Sequence, residues 1–147
     1  MGLTADLGRS PVAVDTAVFI YFIEDEPRFA GLLDPLFREA DEGVRPLVTS
    51  ALSLLEVLVV PLRAGNRALA DRYEALLTRS PGIRLVDVNR DQLRTAAALR
   101  ATTGVKTPDA LQLAAAVSTG CGTLLTNDRR LPEIPGLRIR QLNAYAS

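Results

Sequence analysis

The stretch Val12-Ala13-Val14-Asp15-Thr16 decides the fold, because it is a short apolar run that stops abruptly at an acid. Far downstream, Leu124-Leu125-Thr126-Asn127-Asp128 repeats the same layout. Both runs have the length and composition of buried strands. Open α/β sheets bind their ligands at the carboxyl ends of the strands, where the strand order reverses. Two acids at that edge are therefore well placed to hold a divalent cation.

The apolar period switches repeatedly between strand-like runs and helical spacing, which is typical of alternating β and α units. Right-handed crossovers predict an α/β fold with a mainly parallel five-stranded sheet and helices on both faces. The whole chain, 1–147, is interpreted as a single domain in which residues 1–10 form a short N-terminal lead. The predicted strands are Val12–Asp15, Leu47–Thr49, Ile83–Val88, Gly122–Thr126 and Leu137–Leu142. The predicted helices are Thr16–Ile23, Pro27–Glu42, Ser50–Arg63, Arg67–Thr78, Arg90–Thr103 and Pro108–Thr119.

Several helix ends carry recognisable signals. Asn89 and Gln92 have the spacing of a capping box. Thr107 is predicted to cap the helix that follows it, with Pro108 at the first helical position. Pro61 is expected to distort or end the third predicted helix, because proline cannot donate the backbone hydrogen bond.

Composition narrows the possible chemistry. The 17 Lys and Arg residues balance 17 Asp and Glu residues, so no overall basic field indicates a nucleic acid, although a local arginine rim could serve. The absence of histidine excludes histidine acid-base catalysis, catalytic triads and histidine-ligated zinc. The single cysteine, Cys121, is interpreted as a buried inert thiol. No apolar run is long enough to span a bilayer, and a cytoplasmic location is expected.

Two further acids are expected at the same edge of the sheet. A helix that precedes a parallel strand runs back down the sheet, so its amino end, with Asp109, lies level with Asp15 and Asp128. Glu56 follows the second strand and has apolar neighbours, which predicts an inward carboxylate that would be costly without a partner. A cation would explain this carboxylate, and Glu56 and Asp109 could complete a four-acid cluster with Asp15 and Asp128.

Each acid also has an ordinary interpretation, and these alternatives stay open. Asp15 could only end a strand and cap a helix, and Asp109 could only favour a helix dipole. Asp128 could be a turn aspartate. Glu56 could pair with an arginine such as Arg63 or Arg94.

A cluster of acids fits hard divalent cations, which take oxygen ligands. Carboxylates packed together raise one another's pKa until a cation compensates. Such an ion can activate water and neutralise charge on a phosphoryl group, and histidine is not needed. Hydroxyl and amide groups that could position waters or ligands nearby belong to Thr16, Ser50, Ser53, Thr126 and Asn127.

These motifs together resemble those of PIN-domain nucleases and, within that superfamily, of the VapC-type toxins of prokaryotic toxin–antitoxin pairs. The matching pieces are Val12–Thr16, Ser50–Val57, Lys106–Ala116 and Leu124–Asp128, and they span nearly the whole chain in the family's order. The third and fourth pieces are the most specific. The ten-residue lead before the first strand is longer than usual for the family.

The resemblance implies endonucleolytic cleavage of RNA with Mg²⁺ or Mn²⁺, by metal-activated water. It implies that Asp15 and Asp109 contact the metal, that Glu56 and Asp128 complete the acidic pocket, and that Thr126 accompanies the last acid. It further implies the sheet order 3-2-1-4-5, a homodimer, and a small antitoxin whose tail occupies the acidic groove.

An acidic pocket must still attract a polyanion, so bound metal and nearby cations have to reverse the local field. Lys106, Arg129 and Arg130 flank two of the acids and could contact phosphates, or could be ordinary surface cations. Three other functions stay open: a phosphoacceptor domain in which Asp15 is phosphorylated, an RNA-processing nuclease outside a toxin–antitoxin system, and a non-catalytic PIN-fold binding module.

Overall fold

A computed structural model describes residues 2–146, and its centre is a five-stranded sheet in the order β3-β2-β1-β4-β5. The strands are β1 (Val12–Val14), β2 (Leu47–Ser50), β3 (Ile83–Val86), β4 (Thr123–Thr126) and β5 (Arg138–Gln141). The helices are α1 (Leu3–Leu7), α2 (Thr16–Ile23), α3 (Ala30–Asp41), α4 (Leu52–Arg63), α5 (Arg67–Arg79), α6 (Arg90–Thr103) and α7 (Thr107–Ser118), and a 3₁₀ helix spans Leu142–Tyr145.

All four strand pairings are parallel, which confirms the predicted fold class and strand order. β1 lies in the middle, with Val12 opposite Leu47 of β2 on one side and Thr123 of β4 on the other. The chain therefore builds the sheet from β1 through β2 to β3 on one side, and then crosses back to place β4 and β5 on the other side of β1. This reversal puts the carboxyl ends of β1 and β4 side by side, where the two acid-terminated runs end.

Helices cover both faces of the sheet, as predicted. Val12 and Val14 belong to the larger apolar cluster, on the face covered by α2 and α3. Ala13, between them, belongs to a second cluster with Leu113 of α7. Because successive side chains of a strand point to opposite faces, a strand buried on both faces reads as a continuous apolar run.

Two predicted helix starts have different outcomes. Asn89 caps α6, and its side chain accepts a hydrogen bond from Gln92 N at 3.0 Å. The Thr107 cap is wrong: α7 begins one residue earlier than predicted, so Thr107 is its first residue and Lys106 its cap. The Thr107 hydroxyl instead accepts a hydrogen bond from Arg100 Nη1 at 3.1 Å.

Pro61 was predicted to distort or end its helix. It does not end the helix, because α4 continues to Arg63. Pro61 lies in the last turn of α4, and its side chain is buried. The helix ends two residues later, so a proline at this position disrupts little of it.

The N-terminal lead contains a helix that the sequence analysis did not predict. Leu3 and Leu7, one turn apart in α1, are both buried in the larger apolar cluster. The buried guanidinium of Arg45 donates to the carbonyl oxygens of Thr4 and Gly8 and forms an ion pair with Glu39. This residue therefore fastens α1 to the end of α3.

Cys121, two residues before β4, is buried, as expected. Burial raises the pKa of its thiol, so the reactive thiolate is disfavoured. None of the helices described between residues 2 and 146 is long and apolar enough to cross a membrane.

Candidate metal centre

Asp15 lies at the carboxyl end of β1 and is half-buried. Its Oδ1 accepts a hydrogen bond from Thr16 N at 2.9 Å, which makes it the cap of α2. Its Oδ2 accepts a hydrogen bond from Thr126 Oγ1, at the end of β4, at 2.7 Å. The two central strands are thus joined at their ends by one carboxylate, which is held in a single orientation.

Asp109 lies in the first turn of α7, level with the end of β1, and is half-buried. Burial raises the pKa of its carboxyl group, and the nearby charges of Asp128, Asp15 and Glu56 raise it further. The acids from four separate elements therefore lie within electrostatic range of one another. A divalent cation at this edge would relieve the repulsion.

Glu56 is half-buried on α4, and its Oε1 accepts a hydrogen bond from Thr16 Oγ1 at 2.7 Å. The ion pairs found among residues 2–146 do not include Glu56, so the alternative pairing with an arginine is not observed. Apolar neighbours of Glu56 in sequence do not bury it, since Leu55 and Val60 are 61% and 67% exposed.

Asp128 follows β4 and turns toward Arg130. Its Oδ1 accepts hydrogen bonds from Arg130 N at 2.9 Å and Arg130 Nε at 3.1 Å, and its Oδ2 accepts from Arg130 Nη2 at 3.0 Å. The guanidinium lowers the pKa of the Asp128 carboxyl group. Asp128 is therefore both a turn aspartate and a member of the acidic group, and it is the one acid of the four that has a guanidinium partner.

Carboxylate oxygens are the type of ligand that a hard divalent cation prefers, but the four acids lie further apart than the ligands of a bound ion. Across residues 2–146, no three acidic or cysteine side chains are grouped closely enough to hold a metal ion as they stand. Carboxylates repel one another without a cation, and Mg²⁺ takes only one or two carboxylates directly, with waters in the remaining positions. Burial and the neighbouring carboxylates raise the pKa of Asp109, and the charge of Arg130 opposes this effect.

The predicted residues that flank the acids have different positions in the structure. Lys106 and Arg130 line a cleft of about 220 Å³ together with Asp109, whereas Arg129 is exposed and does not line it. Asn127 Oδ1 accepts a hydrogen bond from Asn143 N at 2.8 Å, so this oxygen binds the 3₁₀ helix. The other predicted polar residues, Thr16, Ser50, Ser53 and Thr126, are all buried. Thr16 donates to Glu56 and Thr126 donates to Asp15.

Sequence reasoning missed Gln112, which is buried one helical turn after Asp109. Its amide contacts Ser53 and Ser50, which belong to the elements that lead to Glu56. A signal was present, because Gln112 interrupts an otherwise apolar stretch of α7 just as Glu56 interrupts α4. Polar residues inside apolar helices need partners, and here the partners lie beneath the acids.

Comparison with known proteins agrees with this architecture. A chain in the crystal structure of VapBC2 from Rickettsia felis, bound to a DNA fragment from their promoter, is 16% identical with a TM-score of 0.67 and covers 89% of this chain and 98% of that one. A chain in the DNA-bound VapBC structure from Salmonella typhimurium is 21% identical with a TM-score of 0.64, covering 90% and 98%. VapC20 of Mycobacterium tuberculosis, described as a sarcin-ricin loop cleaving toxin, is 18% identical with a TM-score of 0.60, covering 77% and 86%.

These similarities show a shared fold. No curated protein sequence matches the chain. The family model of the PIN domain matches residues 12–137, from the first residue of β1 to the residue before β5, and so includes all four acids. By this match the chain belongs to the PIN domain family.

Proposed function

We propose that this chain is a metal-dependent endoribonuclease and the toxin of a toxin–antitoxin pair. One observation carries the proposal: four acids from four elements of a PIN fold lie in electrostatic range at the carboxyl edge of the sheet. The structural relatives support a role as a toxin, since they come from VapBC complexes and include a toxin described as cleaving the sarcin-ricin loop.

Asp15 and Asp109 are the proposed direct ligands of Mg²⁺ or Mn²⁺, and Glu56 and Asp128 complete the site. When bound, such an ion lowers the pKa of a water and neutralises charge on a phosphoryl group. Asp15 is already oriented by Thr16 and Thr126. Asp128 would have to turn from Arg130 to reach a shared ion, which makes it the most adjustable of the four.

The proposed substrate is RNA, held in part by the cations beside Asp109. Lys106 and Arg130 line the cleft that opens next to this acid. A phosphate there would compete with Asp128 for Arg130, and this exchange would free the carboxylate when substrate arrives. Arg129, exposed on the same loop, is proposed to contact a more distant phosphate.

The proposed protein partners are an antitoxin and a second copy of this chain. The relatives that are VapBC complexes support an antitoxin partner. Support for a homodimer comes from α4, where Leu55, Val59, Val60 and Leu62 are exposed apolar residues on a short helix. Contiguous exposed apolar surface is uncommon on monomers and marks interaction sites.

The test is cleavage of RNA by the purified chain with Mg²⁺ or Mn²⁺. Asp15→Asn and Asp109→Asn should each lower the rate by about a hundredfold or more, the scale of losing one electrostatic contact to a transition state. Asp71→Asn, a change at an exposed aspartate of α5 outside the acidic group, is the matched control and should cut normally. Cleavage that continues unchanged in EDTA would exclude the proposed mechanism.

Two observations favour a second candidate, a PIN fold retained as a binding module. Asp128 is paired with Arg130, and no three acids among residues 2–146 are grouped as metal ligands. This alternative predicts that titration calorimetry detects no binding of Mg²⁺ or Mn²⁺ by the wild-type chain.

A further inference from the structure

A buried layer of polar side chains lies directly beneath the acidic edge. Its members are Thr16, Thr49, Ser50, Ser53 and Gln112, and each is at most 8% exposed. Burying hydroxyl and amide groups is unfavourable unless each finds a hydrogen-bond partner. Thr16, Thr49, Ser53 and Gln112 find side-chain partners in one another and form one connected network. Ser50 joins this network through its backbone N–H, while its Oγ accepts from Leu52 N at 3.1 Å.

Gln112 is the centre of this network. Its Nε2 donates to Ser53 Oγ at 2.7 Å and to Thr16 Oγ1 at 3.4 Å. Its Oε1 accepts from Ser50 N at 3.2 Å and from Thr49 Oγ1 at 3.2 Å. A single amide thus joins α7 to the end of β2, to α4 and to the start of α2. These are the elements that carry Asp109, Glu56 and Asp15.

Counting protons gives the network one direction. Ionised Glu56 can only accept, so the Thr16 hydroxyl donates to it at 2.7 Å. Each hydroxyl has one proton, so Ser53 must donate in the 2.8 Å contact with Thr16. By the same rule, Thr49 donates in the 2.8 Å contact with Ser53, and Gln112 Oε1 is a second acceptor for that proton.

The amide of Gln112 reinforces this direction. Its NH₂ group fills the remaining acceptor positions of Ser53 and Thr16, so Ser53 keeps its proton on Thr16 and Thr16 keeps its proton on Glu56. Hydrogen bonds arranged head to tail also polarise one another. The result is a donor aimed at Glu56 Oε1, which leaves the second carboxylate oxygen of Glu56 for other partners.

We propose that Gln112 is a positioning residue, which orients Glu56 for metal binding through Ser53 and Thr16. This inference rests on the proposed metal-dependent function. Gln112 is 4% exposed and acts from beneath the site, so it contacts neither metal nor RNA. Groups that orient metal ligands in this way change metal affinity about 10–100-fold when they are removed.

The experiment compares two buried glutamines. Gln112→Met keeps the length of the side chain and removes its hydrogen bonds. Gln92→Met is the matched control, because Gln92 is 6% exposed on α6 and donates to Ser118 Oγ at 2.7 Å, away from the acids. Mn²⁺ affinity is measured by electron paramagnetic resonance of the free ion, and kcat and KM are measured on RNA.

The expected result is that Gln112→Met weakens Mn²⁺ binding about tenfold or more and lowers kcat with little change in KM, while Gln92→Met stays within about twofold. Wild-type affinity in Gln112→Met would overturn the inference, and so would equal losses in both variants. If Gln112→Met does not fold, Ser53→Ala breaks the same chain, and unchanged Mn²⁺ affinity in that variant overturns the inference.

The two levels of the proposal fail separately. A wild-type chain that binds Mn²⁺ but cuts no RNA would overturn the proposed function, and the Mn²⁺ affinities would still decide the role of Gln112. A wild-type chain that cuts RNA, with a Gln112→Met variant of equal affinity and kcat, would overturn the role of Gln112 alone. A wild-type chain that binds no Mn²⁺ would overturn both.

Discussion

At the scale of single residues, two acids of the same cluster are shifted in opposite directions. Burial and neighbouring carboxylates raise the pKa of Asp109, while the guanidinium of Arg130 lowers the pKa of Asp128. Arg130 also lowers the pKa of Asp109, but burial and the three carboxylates together outweigh it.

The pair Asp128–Arg130 gives a prediction about pH. In Arg130→Gln without added metal, the pKa of the Asp128 carboxyl group should rise toward its ordinary value, because the guanidinium is its main stabilising partner. The folded pKa is depressed, so the pair stabilises the fold above the unfolded pKa of about 3.9 and loses this effect as pH falls through the folded pKa. NMR titration of carboxyl carbons measures the shift.

The neighbouring arginine provides the control for this titration. Arg129→Gln removes the same charge one residue away, at a side chain that is exposed. It should leave the titration of Asp128 nearly unchanged. Equal titration curves for Asp128 in wild type and Arg130→Gln would contradict the assignment of the shift to Arg130.

The sequence indicates some site residues better than others. Asp15 and Asp128 follow strand-like runs, and Glu56 interrupts an apolar helix, so each has a local signal. Arg130 pairs with an acid two residues before it, whereas Gln112 acts through contacts that depend on how helices and strands pack. Such contacts are set by tertiary geometry, which a single sequence does not reveal. Because each acid also had an ordinary interpretation, their grouping needed coordinates.

At the scale of elements, the approach of α3 to the start of β3 is unusually close. A Cβ added at Gly82 would lie 2.3 Å from the carbonyl carbon and oxygen of Ala40. These are backbone atoms, so they can move only if the helix moves. Gly82→Ala should therefore lower the free energy of unfolding by about 3 kcal/mol, the upper part of the range for overpacking.

Urea unfolding followed by circular dichroism measures this loss. Gly122→Ala, just before β4, is the matched control, because an added Cβ there meets no atom within 4 Å. It should change the free energy of unfolding by less than about 1 kcal/mol. Equal midpoints for the two variants would show that α3 adjusts to the extra methyl group.

Periodicity predicted the elements well and their ends less well. Six helices and five strands were expected near their observed positions, because long apolar periods leave little ambiguity. α1 was missed because a five-residue helix is too short to show a period, and Arg45, far along the chain, supplies part of its support. The start of α7 was misplaced because Thr107 binds Arg100 instead of capping.

At the scale of the whole molecule, α4 carries an exposed apolar surface formed by Leu55, Val59 and Leu62, which lie on one face of the helix. If this surface joins two copies, the combined variant Leu55→Glu and Leu62→Glu should convert a dimer into a monomer. Light scattering after size-exclusion chromatography should then give 15.8 kDa instead of twice that mass. The reason is that charges buried without partners are costly at an interface.

Leu93→Glu is the control for this experiment, because Leu93 is 52% exposed on α6, away from α4. It should leave the mass of the wild-type assembly unchanged. Surface substitutions of this kind alter stability by only about 0.5 kcal/mol, so folding should be retained in both proteins. A wild-type mass of 15.8 kDa would contradict the dimer.

The fold class followed from the alternation of strands and helices, but the order of the strands did not. Parallel strands joined by right-handed crossovers permit several orders, and the order 3-2-1-4-5 came from the resemblance to PIN-domain nucleases. The structure has this order, with β1 central and buried on both faces. The local sequence pattern specifies which segments form buried strands, whereas long-range packing determines which strands lie next to each other.

The inaccessible sulfur of Cys121 makes the chain convenient for site-directed spectroscopy. It is the only cysteine in the sequence, and it is shielded from reagents that attack surface thiols. A cysteine introduced at Leu93, which is exposed on α6 and lies outside the α4 surface, would therefore take up a nitroxide spin label alone, with no background labelling to remove. Dipolar coupling between two such labels would give the separation of the helices in a pair of copies directly, in solution.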